Sequence, residues 1–222
     1  MAMTPLKALD ADCVIFDLDG TLVDTAPDLL ATLNVLMAGI GRRPLEVSEI
    51  RGAIGHGARS MIGNGAKITG DAISDEKIEE LFHQYLAYYS SHIADNSVPF
   101  PGALEVLEAL KAKGTPMAIC TNKLESLTRE LLQALNLLSY FDVIIGLDTL
   151  EKSKPDPLPV EEILRKTGAA SAKTLFIGDS ETDLKAARAA GTAIVLVDYG
   201  YTAKPVHGLG ADAVISDLRD AL

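Results

Sequence analysis

Apolar residues recur along this 222-residue chain in two rhythms. Short unbroken apolar runs, bounded by Gly or polar residues, read as strands buried on both faces. They fall at residues 13–16, 116–120, 143–145, 174–177 and 193–197, with 213–215 as a short last candidate. Elsewhere apolar residues return every three or four positions, the spacing of a helix with one buried face. That spacing predicts helices over 25–39 (Leu29, Leu30, Leu33, Leu36, Met37), 74–93 (Ile78, Leu81, Phe82, Tyr85, Leu86, Tyr89) and 102–113 (Leu104, Leu107, Leu110). Further helices are expected over 123–135 (Leu124, Leu127, Leu131, Leu132), 160–167 and 182–190. Gly39, Gly114, Gly168 and Gly191 mark helix ends, and Ser74 is placed to cap the second helix.

Strands separated by helices imply a parallel sheet covered on both faces. The expected fold class is α/β, with a Rossmann-like parallel sheet as the core. The stretch after the first strand breaks the rhythm. From about Asp24 to Ser97 the sequence offers helices, no convincing strand, and a glycine-rich piece, Gly52-Ala53-Ile54-Gly55-His56-Gly57-Ala58-Arg59. This block reads as a helical insert on two linkers, near 22–24 and 97–101. The expected division is a core of residues 1–23 plus 98–222 and a helical cap of residues 24–97.

Charge narrows the partners. A net charge of −11 without a basic stripe argues against nucleic acid. An anionic ligand must then be held by a few local donors against the overall field. No apolar run approaches the ~20 residues of a membrane span, and residues 1–12 lack a signal-peptide core, so no membrane contact and a cytoplasmic protein are expected. Cys13 and Cys120 sit inside strand runs and are expected as buried thiols. Whether the chain is a monomer or a homodimer is not readable from it.

The chemistry gathers at strand ends. The first strand runs into Asp17-Leu18-Asp19-Gly20-Thr21-Leu22. Two carboxylates ~4 Å apart at an effective dielectric of ~20 repel by about 4 kcal/mol, so this pair calls for a cation or a held proton. The next core strand ends in Thr121-Asn122, and a later loop carries Lys152-Ser153-Lys154-Pro155-Asp156-Pro157. Another strand ends in Gly178-Asp179-Ser180-Glu181-Thr182-Asp183. In a parallel sheet these ends share one edge. A hydroxyl, an amide, an ammonium and several carboxylates gathered there suit a phosphate group beside a hard divalent cation such as Mg²⁺. Plainer readings stand beside this. Ser180 and Glu181 suit a helix start, and Asp183 is open to the same reading. Lys152 competes with Lys154, and Tyr85, Tyr88 and Tyr89 read as packing.

These motifs together resemble those of haloacid dehalogenase-superfamily phosphatases with a helical cap after the first strand. They are DLDGTL (17–22), ICTN (119–122), KPDP (154–157) and GDSETD (178–183). The segments PFPGALEVLEAL, CTNK and GDSETDLKAARAAG and the late DYGY are most similar to phosphoglycolate phosphatases. The resemblance implies Asp17 as the nucleophile forming an aspartyl-phosphate and Asp19 as proton donor and acceptor. It implies Thr121, the Asn122 N–H and the Leu18 and Asp19 N–H groups as phosphoryl donors, and Lys154 as the neutralising cation. Mg²⁺ would be held by Asp17, the Asp19 carbonyl and Asp179, with Asp183 in support of the metal's waters or of Lys154. A small phosphorylated metabolite is the implied partner. Phosphoglycolate carries a carboxylate, so the cap is expected to present donors to it, and Arg59 or His56 is the candidate; the plain alternative places Arg59 on a solvated helix face. Other phosphatase activities (broad, pyrophosphate, nucleotide) stay open. A mutase is disfavoured because residues 25–39 hold no His, a dehalogenase because Asp19 is present, and a non-catalytic binder because every expected polar group is there.

Overall fold

A computed structural model describes residues 6–202 and 205–222. Residues 1–5, part of the expected core and of the stretch read for a leader, lie outside the described residues. Strand β1 (Cys13–Phe16) leads into β2 (Val23–Asp24), followed by α1 (Ala26–Gly39), α2 (Val47–Ile54), α3 (Ala58–Thr69) and α4 (Asp75–Ser91). Then come β3 (Val98–Pro99), α5 (Ala103–Lys113), β4 (Met117–Cys120), α6 (Glu125–Ala134), β5 (Val143–Ile145) and α7 (Leu158–Thr167). The chain closes with β6 (Thr174–Gly178), α8 (Glu181–Ala189), β7 (Ala193–Val197) and β8 (Ala213–Ile215).

Six of these strands form one parallel sheet in the order β5-β4-β1-β6-β7-β8. β1 lies between β4 and β6, with Ile15 opposite Ala118 on one side and Phe176 on the other. Its side chains alternate between faces, as a strand requires. Val14 and Phe16 enter the larger apolar core, Cys13 and Ile15 the smaller one. Both faces are buried, which is why the strand reads as an unbroken apolar run. Cys13 and Cys120 are free buried thiols, and burial is the main cause pushing them up to about 11 and about 12.

The α/β core with a helical cap after its first strand is as expected, but the linkers are more ordered than the sequence indicates. β2 and β3 pair antiparallel, Val23 with Pro99 and Asp24 with Val98, so both crossings into the cap form one ribbon. Asp28 in the first turn of α1 accepts hydrogen bonds from the Asn96 and Ser97 N–H groups and the Ser97 hydroxyl. The Tyr201 hydroxyl accepts from the Thr25 and Ala26 N–H groups and donates to Asp24.

Two cap helices were hidden in the glycine-rich stretch. α2 and α3 flank the turn at Gly55-His56-Gly57, and Gly57 adopts φ +84° at the entry to α3. Glycine inside a helix costs about 1 kcal/mol, which weakens the signal. Here close packing accounts for Gly65: a Cβ at that position would fall 3.0 Å from Leu45 Cδ1. α5 also differs in detail. Leu104, expected on its buried face, is 47% exposed, and Ala103, Val106, Leu107 and Leu110 face the core instead.

Candidate active site

Asp17 follows the central strand β1, so it lies between the ends of β4 and β6. Its Oδ1 accepts the Leu18 N–H at 2.7 Å and lies 2.8 Å from Lys154 Nζ. Lys154, only 5% exposed, also reaches Asp183 Oδ1 at 2.6 Å. Lys152 instead pairs with Asp156 on the exposed side of its loop. The structure thereby separates the two lysines that the sequence left in competition.

Asp179 follows β6 and accepts the Tyr201 N–H on Oδ2 at 2.6 Å. Asp183 sits in the first turn of α8, and its Oδ2 accepts from the Asp179 and Ser180 N–H groups and the Ser180 hydroxyl. Ser180 in turn caps α8 by accepting the Asp183 N–H at 3.3 Å. Asp183 therefore serves both readings, helix start and partner of Lys154. The backbone closes tightly around these acids. A Cβ on Gly20, at φ +85°, would fall 2.6 Å from Asp179 Oδ2, so a glycine is required there.

One oxygen each from Asp17, Asp179 and Asp183 lies within 4.8 Å of the others. Lys154 brings one positive charge to these three buried carboxylates. Burial pushes the Asp17 carboxyl up to about 7, with Asp183 adding to the rise and Lys154 opposing it. Burial likewise holds Asp179 well above the usual carboxylate range, with Asp183 and Asp17 adding to it. Lys154 responds in the opposite sense: burial alone would lower it, but Asp17 and Asp183 carry it above its ordinary value. Clustered oxygens short of positive charge are the donor set a hard divalent cation takes. The set differs from the expected one in that Asp183 joins it. Four hydrogen bonds and ion-pair contacts already occupy Asp183, the one from Lys154 among them.

Asp19 is turned away from that cluster. Lys123 Nζ lies 2.8 and 3.1 Å from its two oxygens, and the Thr25 hydroxyl donates to Oδ1 at 2.7 Å. The two acids of the DLDGTL motif are thus relieved separately, Asp17 by Lys154 and Asp19 by Lys123. Lys123, 8% exposed, is a site residue that sequence reasoning missed. Read as the first residue of a helix it looks solvated; the helix begins at Glu125 and leaves Lys123 in the loop facing Asp19.

Thr121 and Asn122 stand where expected. The Thr121 hydroxyl accepts the Lys123 N–H at 3.1 Å. The Asn122 amide donates to the Lys154 and Gly55 carbonyls at 3.2 and 3.4 Å, tying the core edge to the cap turn. Asp17, Asp19, Thr121, Asn122 and Lys154 line one cavity, which other core residues such as Lys123 and Leu127 and residues of the cap complete. His56 and Arg59 reach that cavity too. Arg59, however, is already engaged: its Nε and Nη2 bond Glu79 at 2.5 and 3.0 Å and its guanidinium lies 3.6 Å from the Phe82 ring centre. A ligand carboxylate would have to compete with Glu79 for it.

A carboxylate held beside a lysine, a second acid aimed at the same cavity and an oxygen cluster suited to a divalent cation can together carry out displacement at phosphorus. A haloacid dehalogenase-like hydrolase family model matches residues 14–197, and the chain belongs to that family. Among particular relatives, the phosphoglycolate phosphatase of Caulobacter vibrioides is 41% identical over 218 residues, 98% of this chain and 92% of that one. That of Thiobacillus denitrificans is 41% identical over 219 residues, 98% and 94% of the two chains. The crystal structure of a predicted phosphoglycolate phosphatase from Haemophilus somnus matches with a TM-score of 0.90 at 29% identity, covering 95% and 96% of the two chains. Among the described residues no helix is long and apolar enough to cross a membrane.

Proposed function

We propose that this hydrolase is a Mg²⁺-dependent phosphomonoesterase that converts 2-phosphoglycolate to glycolate and phosphate. The observation that carries the reaction type is the division of labour between the two motif acids. Asp17 sits in the carboxylate cluster beside Lys154, while Asp19 faces the same cavity on separate partners. The substrate is supported by relatives of that activity aligned over nearly the whole chain.

In this reading an Asp17 oxygen attacks phosphorus, and the bond from phosphorus to the ester oxygen breaks. Asp19 delivers its proton to the departing alkoxide, giving free glycolate. Asp19 then takes a proton from water, which attacks the aspartyl-phosphate and releases phosphate and the Asp17 carboxylate. Thr121 and the N–H groups of Leu18, Asp19 and Asn122 are the donors for phosphoryl oxygens. The Leu18 N–H is drawn to Asp17 Oδ1 in the structure and would have to turn to the phosphoryl group. Asp183 orients Lys154. Asp17, Asp179 and the Asp19 carbonyl would hold Mg²⁺, which supplies neutralising charge at the phosphoryl oxygens when bound. Residues 24–97 act as a cap that excludes water and chooses the leaving group.

The test is Mg²⁺-dependent phosphate release from 2-phosphoglycolate, glycerol phosphate, ethyl phosphate, p-nitrophenyl phosphate, pyrophosphate and nucleotides. A kcat/KM for phosphoglycolate roughly tenfold or more above the rest is expected, about 1.4 kcal/mol of discrimination. EDTA should abolish release and added Mg²⁺ restore it. Similar rates across the panel would make this a broad phosphatase, and activity that survives EDTA would overturn the metal assignment. Arg59→Ala is expected to change KM for phosphoglycolate and p-nitrophenyl phosphate alike, because Glu79 holds the guanidinium. A selective rise for phosphoglycolate would restore Arg59 as its carboxylate partner.

A further inference from the structure

α4 forms one wall of the cavity above Asp17 and Asp19, through Phe82, Tyr85, Leu86 and Tyr89. Tyr85 and Tyr89 lie one turn apart with ring centres 5.6 Å from each other, stacked at 30°. Each residue is 1% exposed, and neither hydroxyl has a hydrogen-bond partner among the described residues. The helical period explains the rings but not the hydroxyls. Phenylalanine would pack as well without stranding an O–H group, and a buried donor left unpaired is destabilising. Two such groups one turn apart, on the wall of a catalytic cavity, suit a partner that arrives with the ligand.

The surroundings indicate which part of the ligand. Lys123 Nζ lies 4.9 Å from the Tyr89 ring centre and holds Asp19 at 2.8 Å. In the proposed reaction Asp19 meets the ester oxygen, so the leaving group extends past Asp19 toward α4. An ammonium has three donors, and a lysine there can hold Asp19 and a second acid together. Arg59, the cap cation on this cavity, is committed to Glu79. Burial holds both phenols well above their usual range, so they remain O–H donors.

We propose that the Tyr85 and Tyr89 hydroxyls, with the Lys123 ammonium, form the subsite that binds the carboxylate of the leaving group. This rests on the phosphoglycolate reading. Two O–H donors and one ammonium match a carboxylate's oxygens. The subsite makes the cap, rather than the phosphoryl machinery, the source of selectivity.

The test compares 2-phosphoglycolate with ethyl phosphate, an ester without the carboxylate, in the wild type and in Tyr85→Phe, Tyr89→Phe and the double variant. The expected result is a tenfold or greater fall in the kcat/KM ratio of phosphoglycolate to ethyl phosphate in the double variant, carried by KM. Its Tm should equal or exceed that of the wild type, since phenylalanine keeps the packing and removes the stranded hydroxyls. An unchanged ratio, or an equal loss on both esters with a lower Tm, would reduce the tyrosines to packing and overturn the subsite while leaving the substrate reading intact. A wild type with no preference for phosphoglycolate over ethyl phosphate would overturn both.

Discussion

Asp17→Asn is expected to lower kcat by on the order of 10⁴-fold or more, with the fold unchanged. The amide keeps the shape of the carboxylate and can still accept the Leu18 N–H, while Lys154 retains Asp183. What it loses is the anionic oxygen that, in the proposed reaction, attacks phosphorus. The same substitution carries a stability signature. Asp17 is raised to about 7 in the fold, chiefly by burial, from an ordinary value of 3.8. Between those values the folded protein keeps a proton that the unfolded chain has released, so stability from this group falls as pH rises. In EDTA the Asp17→Asn variant should therefore melt above the wild type at pH 8 and by a smaller margin at pH 5, the gap closing as the pH falls to the ordinary value of 3.8. Steady-state phosphate release and calorimetry at both pH values test this. Activity within tenfold of wild type would remove Asp17 as nucleophile, and a variant that melts below the wild type at pH 8 would refute the account of its burial.

The strands of the core and the four polar strand ends were legible because of how a parallel sheet is built. Its strands are buried on both faces and so appear as unbroken apolar runs, and its polar loops fall at fixed places after them. Asp17, Thr121 and Asp179 could be placed on one edge for that reason. What was not legible depends on contacts between distant segments. Lys123 looks like a solvated residue before α6, and only the approach of β1 to β4 brings it to Asp19, 104 positions away. α2 and α3 were obscured because Gly55, Gly57, Gly63 and Gly65 dilute the periodic signal, whereas Ile50, Ile54, Met61 and Ile62 anchor both helices in the buried core. Period alone places Tyr85 and Tyr89 inside, but it says nothing of where their hydroxyls end. Arg59 shows the converse: its position in the turn was readable, and its commitment to Glu79, 20 positions on, was not.

Lys154→Met should be the most destabilising single change at the site, costing about 3–5 kcal/mol in metal-free protein. Methionine fills a similar volume, so the loss is one of charge. Without the ammonium, Asp17, Asp179 and Asp183 lie buried together with no cation against them. The cost should depend on pH in a definite direction. Lys154 is one of the groups pulling Asp17 down in the wild type. Removing it raises Asp17 further, so at pH 5 the carboxyl is protonated and the penalty shrinks, while at pH 8 it is largest. Mg²⁺ should recover part of the lost Tm, because a divalent cation answers the same excess of negative charge. Catalysis should not recover with it. With the metal bound, the variant still lacks the cation beside Asp17 that, in the proposed reaction, also neutralises the transferring phosphoryl group, and a fall of roughly 10²–10³ in kcat is expected. Lys152→Met is the matched control. Lys152 is exposed and paired with Asp156 across its loop, so its loss should alter neither melting nor turnover. If instead the Lys152 variant lost activity and the Lys154 variant kept it, the ion pairs seen at Asp17 and Asp183 would be structural only. The orientation of the loop between β5 and α7 would then need another explanation.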